Sequence, residues 1–368
     1  MRIAVVSSYP PRLCGIATFA SHLNSALAAR DVRLEPVVVA NEQGAAQEGT
    51  IRRDVVTDYA REAERLNDLG PDLVLIQHEY GLFGGPYGSH LLTLARSLHV
   101  PIATVFHTVL PSPDHALRKV TTQLASLSRV VVVMCGSAAK LLASDYAVRD
   151  TPVVVVRHGY PELRNQPKPS QMTATGGDRG PILLSLGLLG PNKGIEVGIS
   201  AMAAVLRHFP HAKYFVVGST HPSEIHHGID GHRARLVAHA HEHGVEQSVV
   251  FVDDYLRLEE HVAWIQHSDL VLMPHRDLRQ VSSGTLAYSV GSGRAVVCTP
   301  FAYALELANA QAGVVLSPPT ASGIASAAIR VLSDPWLHAR LMDQSATVAH
   351  GMAWPHVAER YLAAFGRL

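Results

Sequence analysis

Residues 280–300 read Gln280-Val-Ser-Ser-Gly-Thr-Leu-Ala-Tyr-Ser-Val-Gly-Ser-Gly-Arg-Ala-Val-Val-Cys-Thr-Pro300. They follow an apolar run, Asp269-Leu-Val-Leu-Met-Pro274, of the unbroken aliphatic kind found in a buried parallel strand. The stretch opens on small hydroxyl residues and a glycine, Ser282-Ser283-Gly284-Thr285. It then reads as a helix and returns to a strand at 294–298. A loop at a helix start leaves backbone N–H groups unpaired, and together with the helix dipole they favour an anion. The hydroxyls can add donors, and Gly284 lets a ligand approach the backbone. An ordinary N-cap explains Ser-Ser-Gly equally well, so the weight of the motif comes from its surroundings.

Upstream, the strand begun at residues 2–7 is followed by apolar runs at 34–40, 73–77, 102–107, 130–134 and 153–157. Helix-length segments at 17–29, 89–97, 114–126 and 137–144 separate them. Such alternation predicts an α/β fold with a parallel sheet covered on both faces. Residues 162–180 break the pattern with Pro167, Pro169, Gly176 and Gly177 and read as a linker. A second series follows, with strands at 182–186, 214–218, 249–252, 270–273, 295–298 and 313–316. Its helices are expected at 194–208, 232–243, 259–267, 285–290 and 321–332. The reading is two tandem doubly wound, Rossmann-like domains, 1–165 and 178–345, with a deep cleft between them. A helical end, 346–368, is expected to return to the first domain.

The composition fits this architecture. At 368 residues, two cores are more natural than one. A formal net charge of zero without a Lys/Arg cluster argues against a nucleic-acid partner. Cys14, Cys135 and Cys298 are scattered and odd in number, as expected of reduced, buried thiols in a cytoplasmic protein. The chain enters a strand at residue 2 without a signal peptide, and no apolar run is long enough to span a membrane.

In doubly wound sheets ligands bind at the carboxyl ends of the strands. Those ends carry Ser7–Gly15, His78-Glu79 with Gly84-Gly85, His107 and His158-Gly159 in the first half. In the second half they carry Gly187–Gly194 with Lys193, Gly218–Pro222 and the 282–285 turn. Turns explain the glycines, but not His78, Glu79, His107 and Lys193 together. Lys193 stands at a helix start, where a cation opposes the dipole unless an anion joins it. His239, His241 and His243 are expected to spread over different faces of a helix, as surface residues and not a metal site. Asp253-Asp254 lacks the third acidic position of a metal motif. The absence of a Gly-x-Gly-x-x-Gly or Gly-Lys-Ser/Thr loop weighs against a dehydrogenase or nucleoside triphosphatase.

Taken together, Ser7–Phe19, Gln77–Gly85, Gly187–Gly194, Gly218–Pro222 and Val281–Tyr288 resemble the GT-B glycosyltransferases of the large retaining group called family four. The resemblance runs nearly end to end. It implies a nucleotide-sugar donor held by the second domain, an acceptor held by the first, and a C-terminal helix crossing back to the first. Donor contacts are implied for Gly15, Gly187, Lys193, Gly218, Ser282, Ser283, Gly284, Thr285 and Tyr288. Acceptor contacts are implied for His78, Glu79, Gly84 and Gly85, with His107 and Lys193 at the reaction centre. Two departures from the pattern stand out. Gln280 and Tyr288 stand where most members carry paired glutamates, and Leu188-Leu189 stand where an Arg-Leu is usual.

The expected reaction moves a hexosyl group from a nucleotide-diphosphate sugar to a hydroxyl, with retention. No metal and no cofactor are expected, because Lys193 and the 282–285 turn stabilise the leaving diphosphate. A non-catalytic sugar or nucleotide binder on the same fold, or a nucleotide-sugar epimerase, remains open.

Overall fold

The computed structural model describes residues 1–41, 47–175, 180–225 and 230–366. The chain divides into two units. One comprises Met1–Gly159, Arg279–Gly284 and the segment from Trp354 on; the other comprises Tyr160–Leu278 and Thr285–Ala353. Gly176, Gly177 and residue 178, which the sequence reading places in the linker and at a domain boundary, lie outside the described residues.

In the first unit, strands β1 (Arg2–Ser7), β2 (Arg33–Ala40), β3 (Thr50–Arg52), β4 (Leu73–His78), β5 (Ile102–Phe106), β6 (Val130–Val133) and β7 (Val153–Val155) form one sheet. The order is β3-β2-β1-β4-β5-β6-β7, parallel throughout. Helices α1 (Gly15–Ala28), α2 (Val56–Leu69), α3 (Leu91–Ser97), α4 (His115–Leu127) and α5 (Gly136–Ser144) connect them. All six residues of β4 are buried, the apolar Leu73–Ile76 as a central strand requires and the polar Gln77 and His78 at its carboxyl end.

The second unit opens with α6 (Ser170–Ala174) and has strands β8 (Ile182–Leu186), β9 (Lys213–Val217), β10 (Val249–Val252), β11 (Leu270–Met273), β12 (Val296–Cys298) and β13 (Val314–Leu316). Its order is β10-β9-β8-β11-β12-β13, again all parallel. The helices are α7 (Ile195–His208), α8 (Gly231–Glu242), α9 (Leu258–Gln266), α10 (Gly284–Gly291, in this unit from Thr285 on), α11 (Ala302–Asn309), α12 (Ala321–Ser333) and α13 (Pro335–Ala349). Strand order reverses between β1 and β4 in one sheet and between β8 and β11 in the other. Each reversal opens a crevice at the carboxyl ends of the strands.

The last helix, α14 (Trp354–Phe365), belongs to the first unit. Trp354, Val357, Tyr361 and Phe365 join Ile3, Val5, Phe19, Leu23 and Leu27 in one core. Spacings of three and four residues place these side chains on one helical stripe.

Two elements lack the apolar signature of their neighbours. The buried face of α2 includes Asp58 and Glu62, and β3 has only three residues. Asp58 is held by Arg52 at 2.7 Å and Arg61 at 2.9 Å, and Glu62 by Arg65 at 2.7 Å. Ion pairs therefore stand where periodicity reading looks for leucines. Cys135 and Cys298 are buried thiols outside any disulfide, whereas Cys14 is only partly buried, because it caps the exposed start of α1. Among the described residues, no helix is long and apolar enough to cross a membrane.

Candidate functional site

The second unit's crevice is built around two glycines. Gly187 follows β8 with φ +111° and Gly218 follows β9 with φ +133°, both in the region open to glycine. A Cβ on Gly218 would collide with the Gly187 carbonyl. One on Gly187 would stand 3.3 Å from Thr285 Oγ1. The loops after β8 and β9 run side by side, with Leu189 N–H donating to the Ser219 carbonyl at 2.9 Å and His221 N–H to the Leu189 carbonyl at 2.7 Å. Gly194, at φ +61°, passes so close to the Pro274 carbonyl that no side chain fits.

This close packing of backbone leaves a small recess lined by Ser185, Leu186, Lys193, Met273, Pro274, His275 and Thr285. The recess lies at the β8/β11 reversal. Burial lowers the Lys193 ammonium to about 8, since desolvation penalises the charged form. A cation held at a cost, beside the first turn of α10, suits an anionic ligand. Tyr288, one turn beyond Thr285, is buried with its ring edge-on to His261 at 5.5 Å.

The first unit gathers a different set. His107 is buried after β5 and donates from Nε2 to Gln77 Oε1 at 2.8 Å, the amide oxygen being the acceptor. Its backbone N–H donates to the His78 carbonyl at 3.0 Å. His158 donates from Nδ1 to the Gly159 carbonyl at 2.7 Å. Phe19 lies between them, edge-on to His107 at 4.7 Å and to His158 at 5.0 Å, and Trp354 packs on the same ring at 5.1 Å. Desolvation lowers His78 and His107 to about 3 and His158 to about 4. All three rings are therefore neutral near pH 7. They can exchange hydrogen bonds with a hydroxyl, but they are not poised as general acids.

The remaining expected positions fall as follows. Ser282, Ser283 and Gly284 belong to the first unit, where Ser282 Oγ donates to the His107 carbonyl at 3.0 Å. A Cβ on Gly284 would stand 3.3 Å from His158 Nε2. The helix starts at Gly284, after both serines. The Ser282 hydroxyl proton is thus engaged by a carbonyl and is not offered to an anion, contrary to the expectation that the hydroxyls add donors. Gly15 opens α1, exposed and with open space where a Cβ would stand. Glu79 accepts from Thr108 Oγ1 at 2.6 Å and from Tyr80 N–H at 2.9 Å, and burial raises its carboxyl. The His78 ring packs among Tyr80, Phe83 and Phe106. Gly84 and Gly85 have packing reasons of their own. A Cβ on Gly84 would collide with the Arg53 carbonyl, one on Gly85 would meet Ser89 and His90, and Gly84 N–H donates to the Tyr59 hydroxyl.

Sequence reasoning passed over His158 as a site residue, although it closes a strand as His107 does. Gln77 and Phe19 were visible only as neighbours of glycines and histidines, because their roles depend on packing across strands. The histidine-rich helix needs a correction. His239 and His243 do not spread apart: four residues is about one turn, so their rings lie 4.2 Å apart, and His241 alone points elsewhere on the helix.

Residues 180–334 match the family described as Glycosyl transferases group 1. No curated protein matches the chain. Solved structures match along its whole length. Sucrose-phosphate synthase from Thermosynechococcus elongatus is similar with a TM-score of 0.76 at 17% identity, covering 100% of this chain and 98% of that one. Anabaena HepE, solved in complex with UDP, gives 0.75 at 16%, covering 100% of both chains. A structure of trehalose-6-phosphate from E. coli, bound with UDP-2-fluoro glucose, gives 0.72 at 14%, covering 100% and 99%. At these identities the structures speak for the fold, which is GT-B: two parallel-sheet, Rossmann-like units. Together with the sequence match over 180–334, they support a GT-B glycosyltransferase.

Proposed function

We propose that this chain transfers a hexosyl group from a nucleoside-diphosphate sugar to a hydroxyl acceptor, with retention and without a metal in the reaction. The observation that carries the reading is Lys193, a desolvated ammonium beside Thr285 and the first turn of α10, inside the segment that matches the glycosyltransferase family. As the bond from the anomeric carbon to the diphosphate breaks, negative charge grows on the leaving oxygen. Lys193 and the α10 N–H groups stabilise it. The acceptor oxygen takes the anomeric carbon from the same face, and its proton passes to a diphosphate oxygen.

Gly187 and Gly218 let the diphosphate approach the backbone closely. In this reading the first unit supplies acceptor-side groups, with neutral His107 as a hydrogen-bonding partner and His78, Glu79 and the Gly84-Gly85 loop shaping that side. Two of the similar structures were solved with UDP or UDP-2-fluoro glucose, so uridine donors are the first to examine. A thermal-shift series with UDP, GDP and ADP and their glucose and mannose conjugates tests the proposal. A shift for one base, followed by sugar transfer to an acceptor pool, is expected. Binding without transfer or hydrolysis would leave a non-catalytic binder, and no binding of any nucleotide would overturn the proposal.

A further inference from the structure

We propose that His239, Glu242 and His243, at the carboxyl end of α8, bind one divalent transition-metal ion of the zinc type. These residues sit at i, i+3 and i+4, so one face of one helical turn presents all three. Each offers a ligand atom within 4.8 Å of the other two. His243 donates from Nδ1 to the His239 carbonyl at 3.0 Å. A carbonyl only accepts, so this bond puts the ring proton on Nδ1 and leaves the Nε2 lone pair free. An outer hydrogen bond to a backbone carbonyl is the usual way a ligating imidazole is oriented. On His239 the Glu242 carboxylate stands 3.7 Å from Nδ1, close enough to bring its negative charge to the pair.

Both Nε2 atoms converge on Ser200 Oγ of α7, at 2.7 Å and 3.1 Å. That hydroxyl has a single proton, and the Glu196 carbonyl lies 3.0 Å from the same oxygen. Two acceptors, His243 Nε2 and that carbonyl, thus compete for one hydrogen. A cation between the imidazoles would use both lone pairs at once, with Glu242 supplying negative charge and water the open positions. Ser200 stands more than one turn into α7, beyond Ile195, which lines the recess beside Lys193, so the cluster is separate from that recess. The ion would tie α8 to α7 and take no part in group transfer.

The test uses the full chain without an affinity tag, stripped with chelator and titrated calorimetrically with zinc chloride. One equivalent is expected for wild type and for His241→Ala. His239→Asn and His243→Asn are each expected to weaken it at least tenfold, with circular dichroism confirming that the variants fold. Zinc should also slow diethylpyrocarbonate modification of His239 and His243 relative to His241 in the wild type, a readout that needs no variant. Failure of the wild type to bind an equivalent, unchanged affinity in either folded variant, or absence of that selective protection would overturn the proposal.

Discussion

At Lys193 the burial that lowers the ammonium to about 8 works against folding and for ligand binding. Below that pH the charge is present without a partner, so Lys193→Met should raise the stability of the ligand-free protein by about 1 kcal/mol. The same change should weaken nucleoside-diphosphate binding at least tenfold; melting curves with and without nucleotide measure both. Because the ligand-free lysine loses its proton as pH rises through about 8, wild-type affinity should fall between pH 8 and 9, by up to tenfold per unit. Calorimetry at pH 7, 8 and 9 checks the slope, and Lys193→Met should be flat. Tyr288→Phe removes one hydroxyl from a buried ring and should cost about 0.5–1.5 kcal/mol of donor binding. Sequence alone was enough to single out Lys193, because a cation after a Pro-Asn turn at a strand end is chemically conspicuous. It could not show that Ser282 spends its proton on the His107 carbonyl, a bond between residues 175 positions apart.

Among the elements, α2 shows what pattern reading loses. Its buried side is written in Asp58 and Glu62, and each is legible only once Arg52, Arg61 and Arg65 are known to face it. The bond from Arg52 lowers the Asp58 carboxyl to about 2. A depressed carboxylate contributes stability that is whole above the unfolded value near ~4 and lost as pH falls toward 2. For Asp58, whose side chain is 1% exposed, that contribution is about 2 kcal/mol. Asp58→Asn should therefore lower stability by about 2–4 kcal/mol at pH 7 and by much less at pH 2. Urea unfolding at the two pH values checks the difference. By contrast, every strand but β3 was legible to within one or two residues, since a parallel strand buried on both faces is mostly apolar. α14 was equally readable from its stripe of Trp354, Val357, Tyr361 and Phe365.

For the whole molecule, transfer activity should survive excess EDTA, since Lys193 and the α10 N–H groups carry the charge stabilisation in the proposed reaction. Loss of activity on chelation, with recovery on adding manganese, would assign a metal to the chemistry. Removal of residues from Trp354 on should unfold the first unit, because four large side chains leave a core shared with β1 and α1; loss of the cooperative melt reads this out. The two-sheet plan was plain from alternating strands and helices, whereas the allotment of residues 279–284 to the first unit was not, because no periodicity marks it. That discontinuous make-up sets a timetable for synthesis. Residues 1–159 emerge from the ribosome first, yet the helix that closes their core begins only at Trp354, 195 positions after Gly159. At roughly 5–20 residues per second, the nascent first unit waits about 10–40 s with Phe19, Leu23 and Leu27 uncovered on that side. Through that interval it is a substrate for chaperones, and a premature stop just before codon 354 would leave it one permanently.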